Sequence, residues 1–154
     1  MEVLGFIVER RKSKMIDSFR KKYFFLSNFY EVPVVYEGIM YGSSEAAFQA
    51  QKCKDEKQRI LFAYLNPSEA KERGRTIQLR EDWEDIKFQI MYSIVYNKFD
   101  QNPELAKRLL ETGAEELVEG NTWGDKIWGK VDGEGLNLLG RILMDVREEL
   151  RVKK

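Results

Sequence analysis

Between Asp82 and Asp100 the apolar residues Trp83, Ile86, Ile90, Met91, Ile94, Val95 and Phe99 recur at helical spacing. A stripe of that length predicts an amphipathic helix that must bury one face against other elements. More helix signals surround it. "NPSE" at 66–69 supplies Asn66 as N-cap, Pro67 at the first helical position and Glu69 at the third, a capping box, and Gly74 suits the end of that helix. "NPELAKRLLETG" at 102–113 repeats the Asn-Pro start and closes on Gly113. Leu138, Leu139, Ile142, Leu143, Val146 and Leu150 predict a last helix over about 135–151.

Strand signals are confined mostly to the first quarter. Residues 23–41 are rich in aromatic and β-branched side chains, interrupted by Ser-Asn and Glu-Gly. They predict two or three short strands, the last two forming a hairpin about Glu37-Gly38, with Pro33 at an edge. "VLGFIV" at 3–8 predicts a short strand before a charged loop, and "EELVEG" at 115–120 a brief one. Strands and helices do not alternate, which argues against a doubly wound sheet. The fold class expected is mainly α (α-rich α+β): one helical domain over residues 1–154 with a small N-terminal β element.

Composition narrows the chemistry. Histidine is absent, so a histidine-based triad, histidine-ligated zinc and histidine acid–base catalysis are excluded. Carboxylates must then move any protons. Lys+Arg and Asp+Glu balance at 26 each, without the basic excess of a general nucleic-acid binder. Cys53 is the single cysteine, so no intrachain disulfide can form, which suits a reducing compartment. No apolar run approaches the roughly 18 residues of a membrane span. The cytoplasm is the expected location.

Three stretches carry candidate chemistry. In "YGSSEAAFQAQK" (41–52), a helix capped by Ser43 or Ser44 would align Glu45, Gln49 and Lys52 on one stripe, with Ala46, Ala50 and Cys53 on another face. Such a stripe either faces water, as on many surface helices, or lines a site where Glu45 stays ionised at the positive helix end and Lys52 holds a phosphate. In the glycine-rich loop 121–135, Trp123 and Trp128 flank Asp125. A tryptophan there either stacks on a heterocycle or plugs the core beneath the loop. Arg75 and Arg80 in "GRTIQLR" suit phosphate, or are surface charges. In "FFLSNFY" (24–30), Ser27-Asn28 between aromatics presents hydrogen bonds to a ligand or simply forms a turn.

Taken together, "FFLSNFY", "YGSSEAAFQAQK", the run from Gly74 to Gly113, "LVEGNTWGDKIWG" and "GLNLLGRILMDVREEL" resemble the NADAR (YbiA-like) family over about residues 20–151. One departure is Ala46, where the family often carries histidine. The resemblance implies a mainly helical fold and hydrolysis of an N-glycosidic bond in ribosylaminopyrimidine 5′-phosphate intermediates of riboflavin biosynthesis. Two alternatives are removal of ADP-ribose from guanine and non-catalytic binding of ADP-ribose or a related nucleotide. Nucleic acid would then enter only as a modified substrate, and no membrane is involved.

Carried over by position, the resemblance implies a site of Glu45, Lys52, Trp83, Asp125, Trp128 and Asn137, with Phe25, Ser27 and Asn28 contributing. Glu45 is the first choice for the carboxylate beside the sugar and Asp125 the second, an order that could be reversed. Trp128 would stack on the heterocycle, Asn28 or Asn137 would hydrogen-bond it, and Lys52 and Arg75 would meet the 5′-phosphate. Such a reaction needs no metal or redox cofactor.

Overall fold

The computed structural model of the chain describes residues 14–153; the strand expected at 3–8 lies outside the described residues, as does most of the charged run after it. Strand β1 (Met15–Ile16) is followed by a 3₁₀ turn (Lys21–Leu26), then β2 (Glu31–Tyr36) and β3 (Ile39–Ser43). Helices α1 (Ser44–Ala50), α2 (Glu56–Leu61) and α3 (Pro67–Gly74) lead to the long α4 (Trp83–Asp100) and to α5 (Pro103–Glu111). Strand β4 (Glu116–Leu117), an irregular loop and α6 (Leu138–Lys153) complete an α-rich α+β fold.

The long stripe forms the expected helix. Trp83, Met91, Ile94, Val95 and Phe99 of α4 are buried against α6, α1 and the hairpin, while Ile86 and Ile90 are half-buried. The hairpin turns at Glu37 and Gly38, both at positive φ (50° and 82°), which matches the right-handed twist of its strands. Val34 pairs with Tyr41, and both point into the core. The register breaks between Glu31 and Val34, around Pro33, as expected for a residue that cannot donate to a ladder. Amides at the end of α4 cover that edge. Gln101 Nε2 and Asn97 Nδ2 donate to the Val35 carbonyl (2.9 and 3.2 Å), and Asn102 Nδ2 donates to that of Pro33 (3.2 Å).

One local expectation changes. Residues 21–26 form the 3₁₀ turn instead of a strand. Phe25 packs edge-on against Phe99 of α4 (centroids 6.4 Å), and the buried Lys98 amine takes the carbonyls of Phe25 and Ser27, so tertiary packing overrides β propensity. The capping box at Asn66 forms in full, and α3 ends on Gly74 as expected, with Arg75 as its C-cap. A Cβ at Gly74 would collide with the Gln49 side chain, so its role is to let α3 approach α1. Gly113 does follow α5 in the left-handed conformation (φ 66°). Strand β4 appears within 115–120 and pairs in parallel with β1.

Helix α1 lies at the centre. All seven of its residues are buried, and it packs on α3, α4 and the hairpin. Ala46, Ala47 and Ala50 permit that close approach. The polar stripe therefore cannot be an ordinary water-facing one.

Candidate active site

Glu45 is positioned by the hydrogen bonds that fix the start of α1. Ser43 Oγ caps α1 by accepting from the Ala46 N–H (3.1 Å). The Glu45 N–H donates to the Asn28 carbonyl (3.1 Å), and Ser44 Oγ donates to Asn28 Oδ1 (2.9 Å). The start of α1 is thus stitched to the Ser27–Asn28 segment. The Glu45 carboxylate accepts from Gln49 Nε2 (2.7 Å), one turn along. Both side chains face a cavity of about 800 Å³.

Burial pushes the Glu45 pKa above the usual carboxylate range; the Gln49 bond and the charges of Lys71 and Lys52 oppose this, and Asp125 adds to it. Desolvation outweighs the favourable helix end anticipated from the sequence. Lys52 also lines the cavity, and burial lowers its pKa against the opposing pull of Glu45.

One wall is aromatic. Phe48 of α1 meets Trp83 of α4 (centroids 5.1 Å) and Trp128 of the loop (5.4 Å, interplanar angle 79°). Trp128 is half-buried and keeps surface toward the cavity, so it does not serve solely as a plug. Asp125 reaches the same space. Its Oδ1 accepts from the N–H groups of Ile127 (3.0 Å) and Trp128 (2.9 Å), which fixes the turn that presents Trp128. The exposed Trp123 stands at the rim, and Lys71 Nζ lies between its ring (5.6 Å) and that of Phe29 (5.7 Å).

Seven of the ten candidate residues therefore line one cavity: Ser27, Asn28, Glu45, Lys52, Trp83, Asp125 and Trp128. Three do not. Phe25 is buried in the core against Phe99. Arg75 is the exposed C-cap of α3, outside the cavity; Lys71, one turn earlier, lines it together with Lys87 of α4. Asn137 is buried at positive φ (54°) and bridges backbone: Oδ1 accepts from the Glu119 N–H (2.9 Å) and Nδ2 donates to the Leu117 carbonyl (3.0 Å).

The most consequential residue that the sequence reading passed over is Glu119. It lines the cavity beside Glu45 and Asp125, and burial raises its pKa to about 7. The quoted "LVEGNTWGDKIWG" contained it, but a single acid at a strand end carries no spacing signal. Among the described residues no group of three His, Cys, Asp or Glu is arranged to hold a metal ion, and no helix is long and apolar enough to cross a membrane.

Comparison with known proteins gives a family match and close relatives. Residues 14–151 match the NADAR domain. The chain is 40% identical over 132 residues to the N-glycosidase YbiA of Escherichia coli K12, covering 83% of this chain and 82% of that protein. An N-glycosidase of Nostoc punctiforme is 39% identical, with 81% and 84% covered. A riboflavin biosynthesis protein of Vibrio vulnificus is 44% identical over 131 residues, yet the chain spans only 35% of its length. The NMR structure of E. coli YbiA superposes with a TM-score of 0.78 at 36% identity, covering 93% of this chain and 91% of that one.

Proposed function

The chain belongs to the NADAR family, and we propose that this hydrolase of N-glycosyl bonds cleaves the C1′–N bond of a ribosylaminopyrimidine 5′-phosphate, an intermediate of riboflavin biosynthesis, releasing ribose 5-phosphate. The observation that carries the reading is one cavity in which Glu45 and Asp125 share space with an aromatic wall and lysines. Each part matches a demand of the reaction. As the C1′–N bond lengthens, positive charge grows on the pentose, and an ionised carboxylate beside it is worth more in the transition state than in the ground state.

Glu45 is assigned that place. The Gln49 amide, Lys52 and Lys71 favour its anion against burial, and the growing sugar cation favours it further. The same carboxylate accepts a proton from the water that adds to C1′. Trp128 stacks on the heterocycle, and Ser27 and Asn28 border it. Lys52, with Lys71 and Lys87 in place of Arg75, neutralises the phosphate. The cavity volume of about 800 Å³ lies near the upper end for small-molecule sites, which favours ADP-ribosylated guanine as the second reading.

Incubation with a ribosylaminopyrimidine 5′-phosphate and, separately, with ADP-ribosylated guanine DNA decides between them. Release of ribose 5-phosphate is expected. Release of ADP-ribose alone would transfer the site to the second reading, and binding without cleavage would end both. Glu45→Gln should lower kcat by about 100-fold or more with binding largely kept. A wild-type kcat would remove Glu45 from the chemistry.

A further inference from the structure

A bond between carbon and a poorly leaving nitrogen needs a proton as well as an anion, and the cavity contains a third carboxyl group built for that task. We infer that Glu119 is the general acid, delivering its proton to the departing nitrogen, while Glu45 serves the sugar and the water. The inference rests on the N-glycosidase reading above and holds for either of its leaving groups.

Geometry supports it first. Glu119 follows β4 and enters the irregular loop, yet its backbone is fixed at both ends: the N–H by Asn137 Oδ1 (2.9 Å) and the carbonyl by the Lys130 N–H (2.9 Å). Its Oε1 accepts from Asn121 Nδ2 (3.0 Å), which leaves Oε2 to carry a proton. A Cβ at Gly129 would collide with Glu119 Oε1 and with its carbonyl, so the glycine clears the volume that this side chain fills. Asn121 is itself tied down, its Oδ1 accepting from the N–H groups of Trp123 (3.3 Å) and Asp125 (3.1 Å). An asparagine on each side and a required glycine hold one glutamate at the cavity wall.

Electrostatics separates it from its neighbours. Burial is the main cause of its raised pKa; the charges of Asp125 and Glu45 add to this, and Asn121 and Lys71 oppose it. Glu119 is therefore about half protonated near neutral pH. Asp125 has a structural duty of its own, its Oδ1 holding the N–H groups of Ile127 and Trp128 in the turn that presents Trp128. In the reaction the C1′–N electron pair passes to nitrogen, which takes the Glu119 proton. Water oxygen bonds to C1′ and gives its proton to Glu45. Transfer of that proton to Glu119 through solvent restores both groups, and the sum is hydrolysis.

Glu119→Gln tests this against two substrates. One is the ribosylaminopyrimidine 5′-phosphate; the other is 4-nitrophenyl ribofuranoside 5-phosphate, whose phenolate leaves without a proton. The variant should lose about 100-fold or more in kcat on the first and less than about tenfold on the second. The decline of wild-type kcat above pH 7 should also disappear. Equal losses on both substrates, in a variant that melts like the wild type, would overturn the assignment and leave the N-glycosidase reading standing. Wild-type protein that cleaves no N-glycoside would overturn both. Glu119→Asp, which retains a shortened acid, should recover part of the rate only if a proton is what was lost.

Discussion

Two sets of desolvated ionisable groups occur in the molecule, and they are built in opposite ways. Lys98 is 1% exposed, and its amine donates to two backbone carbonyls, Phe25 (2.7 Å) and Ser27 (2.9 Å). Burial lowers its pKa to about 7, so near neutrality much of it is an uncharged amine. Such an amine has two N–H groups, one for each carbonyl, and it does not border the cavity. Glu45 and Glu119 are also desolvated, but each lines the cavity. Burial thus serves two ends here. Where the partners are backbone and the space is filled, a buried ionisable group fastens structure. Where the group borders a cavity, it stays available for chemistry, and the altered pKa becomes useful.

The largest effect that can break this contrast is on stability. Lys98→Met strips both carbonyls of their donor, at about 1–3 kcal/mol each, partly offset because no amine is buried. A net loss of about 2 kcal/mol in urea unfolding is expected. The Ser27–Asn28 wall should loosen with it, lowering kcat/KM. A Lys98→Met protein as stable and active as the wild type would show that the amine is tolerated without being structural.

The pH dependence of stability sharpens the same contrast. Folded Glu119 keeps its proton to about 7 while the unfolded group releases it near 4.5, so its contribution is full below 4.5 and is lost as pH rises through 7. Glu45 shifts in the same direction. Lys98 acts oppositely: the unfolded amine holds its proton to about 10.5 and the folded one only to about 7, so stability grows from pH 7 toward 10.5. Lys52 adds in that direction. Urea midpoints should pass through a minimum near pH 7. Lys98→Met should flatten the alkaline rise and Glu119→Gln the acid-side fall; a minimum unchanged in both variants would refute the assignment.

Much of this was legible in the sequence, for reasons that differ by region. The α4 stripe, the Asn66 capping box and the Glu37-Gly38 turn are local patterns with local causes, and they form as read. The row Glu45–Gln49–Lys52 was legible as a row, but whether it met water or a cavity depends on α3 and α4 packing around α1. Lys98 sits on the apolar face of α4, where periodicity alone would place another hydrophobe. Its acceptors lie more than 70 positions earlier in the chain. The resemblance implies Asn137 as a ligand contact, but its actual role and that of Gly129 were beyond reach, because both place Glu119, which is visible only once β4 and the loop are folded together.

Asp125 lies on the border of the contrast, since its carboxylate lines the cavity and also holds backbone. Asp125→Asn separates the two duties. The amide oxygen can still accept from the Ile127 and Trp128 N–H groups, so stability should change by less than about 0.5 kcal/mol. The lost charge should be felt at Glu119, whose pKa Asp125 helps to raise. Removing it lowers that pKa, so the alkaline limb of kcat should move to lower pH by less than about one unit. A displaced limb at unchanged stability would assign Asp125 to the chemical set through its charge. An unmoved limb with reduced stability would make it a backbone anchor like Lys98, and would leave Glu45 and Glu119 as the reacting pair.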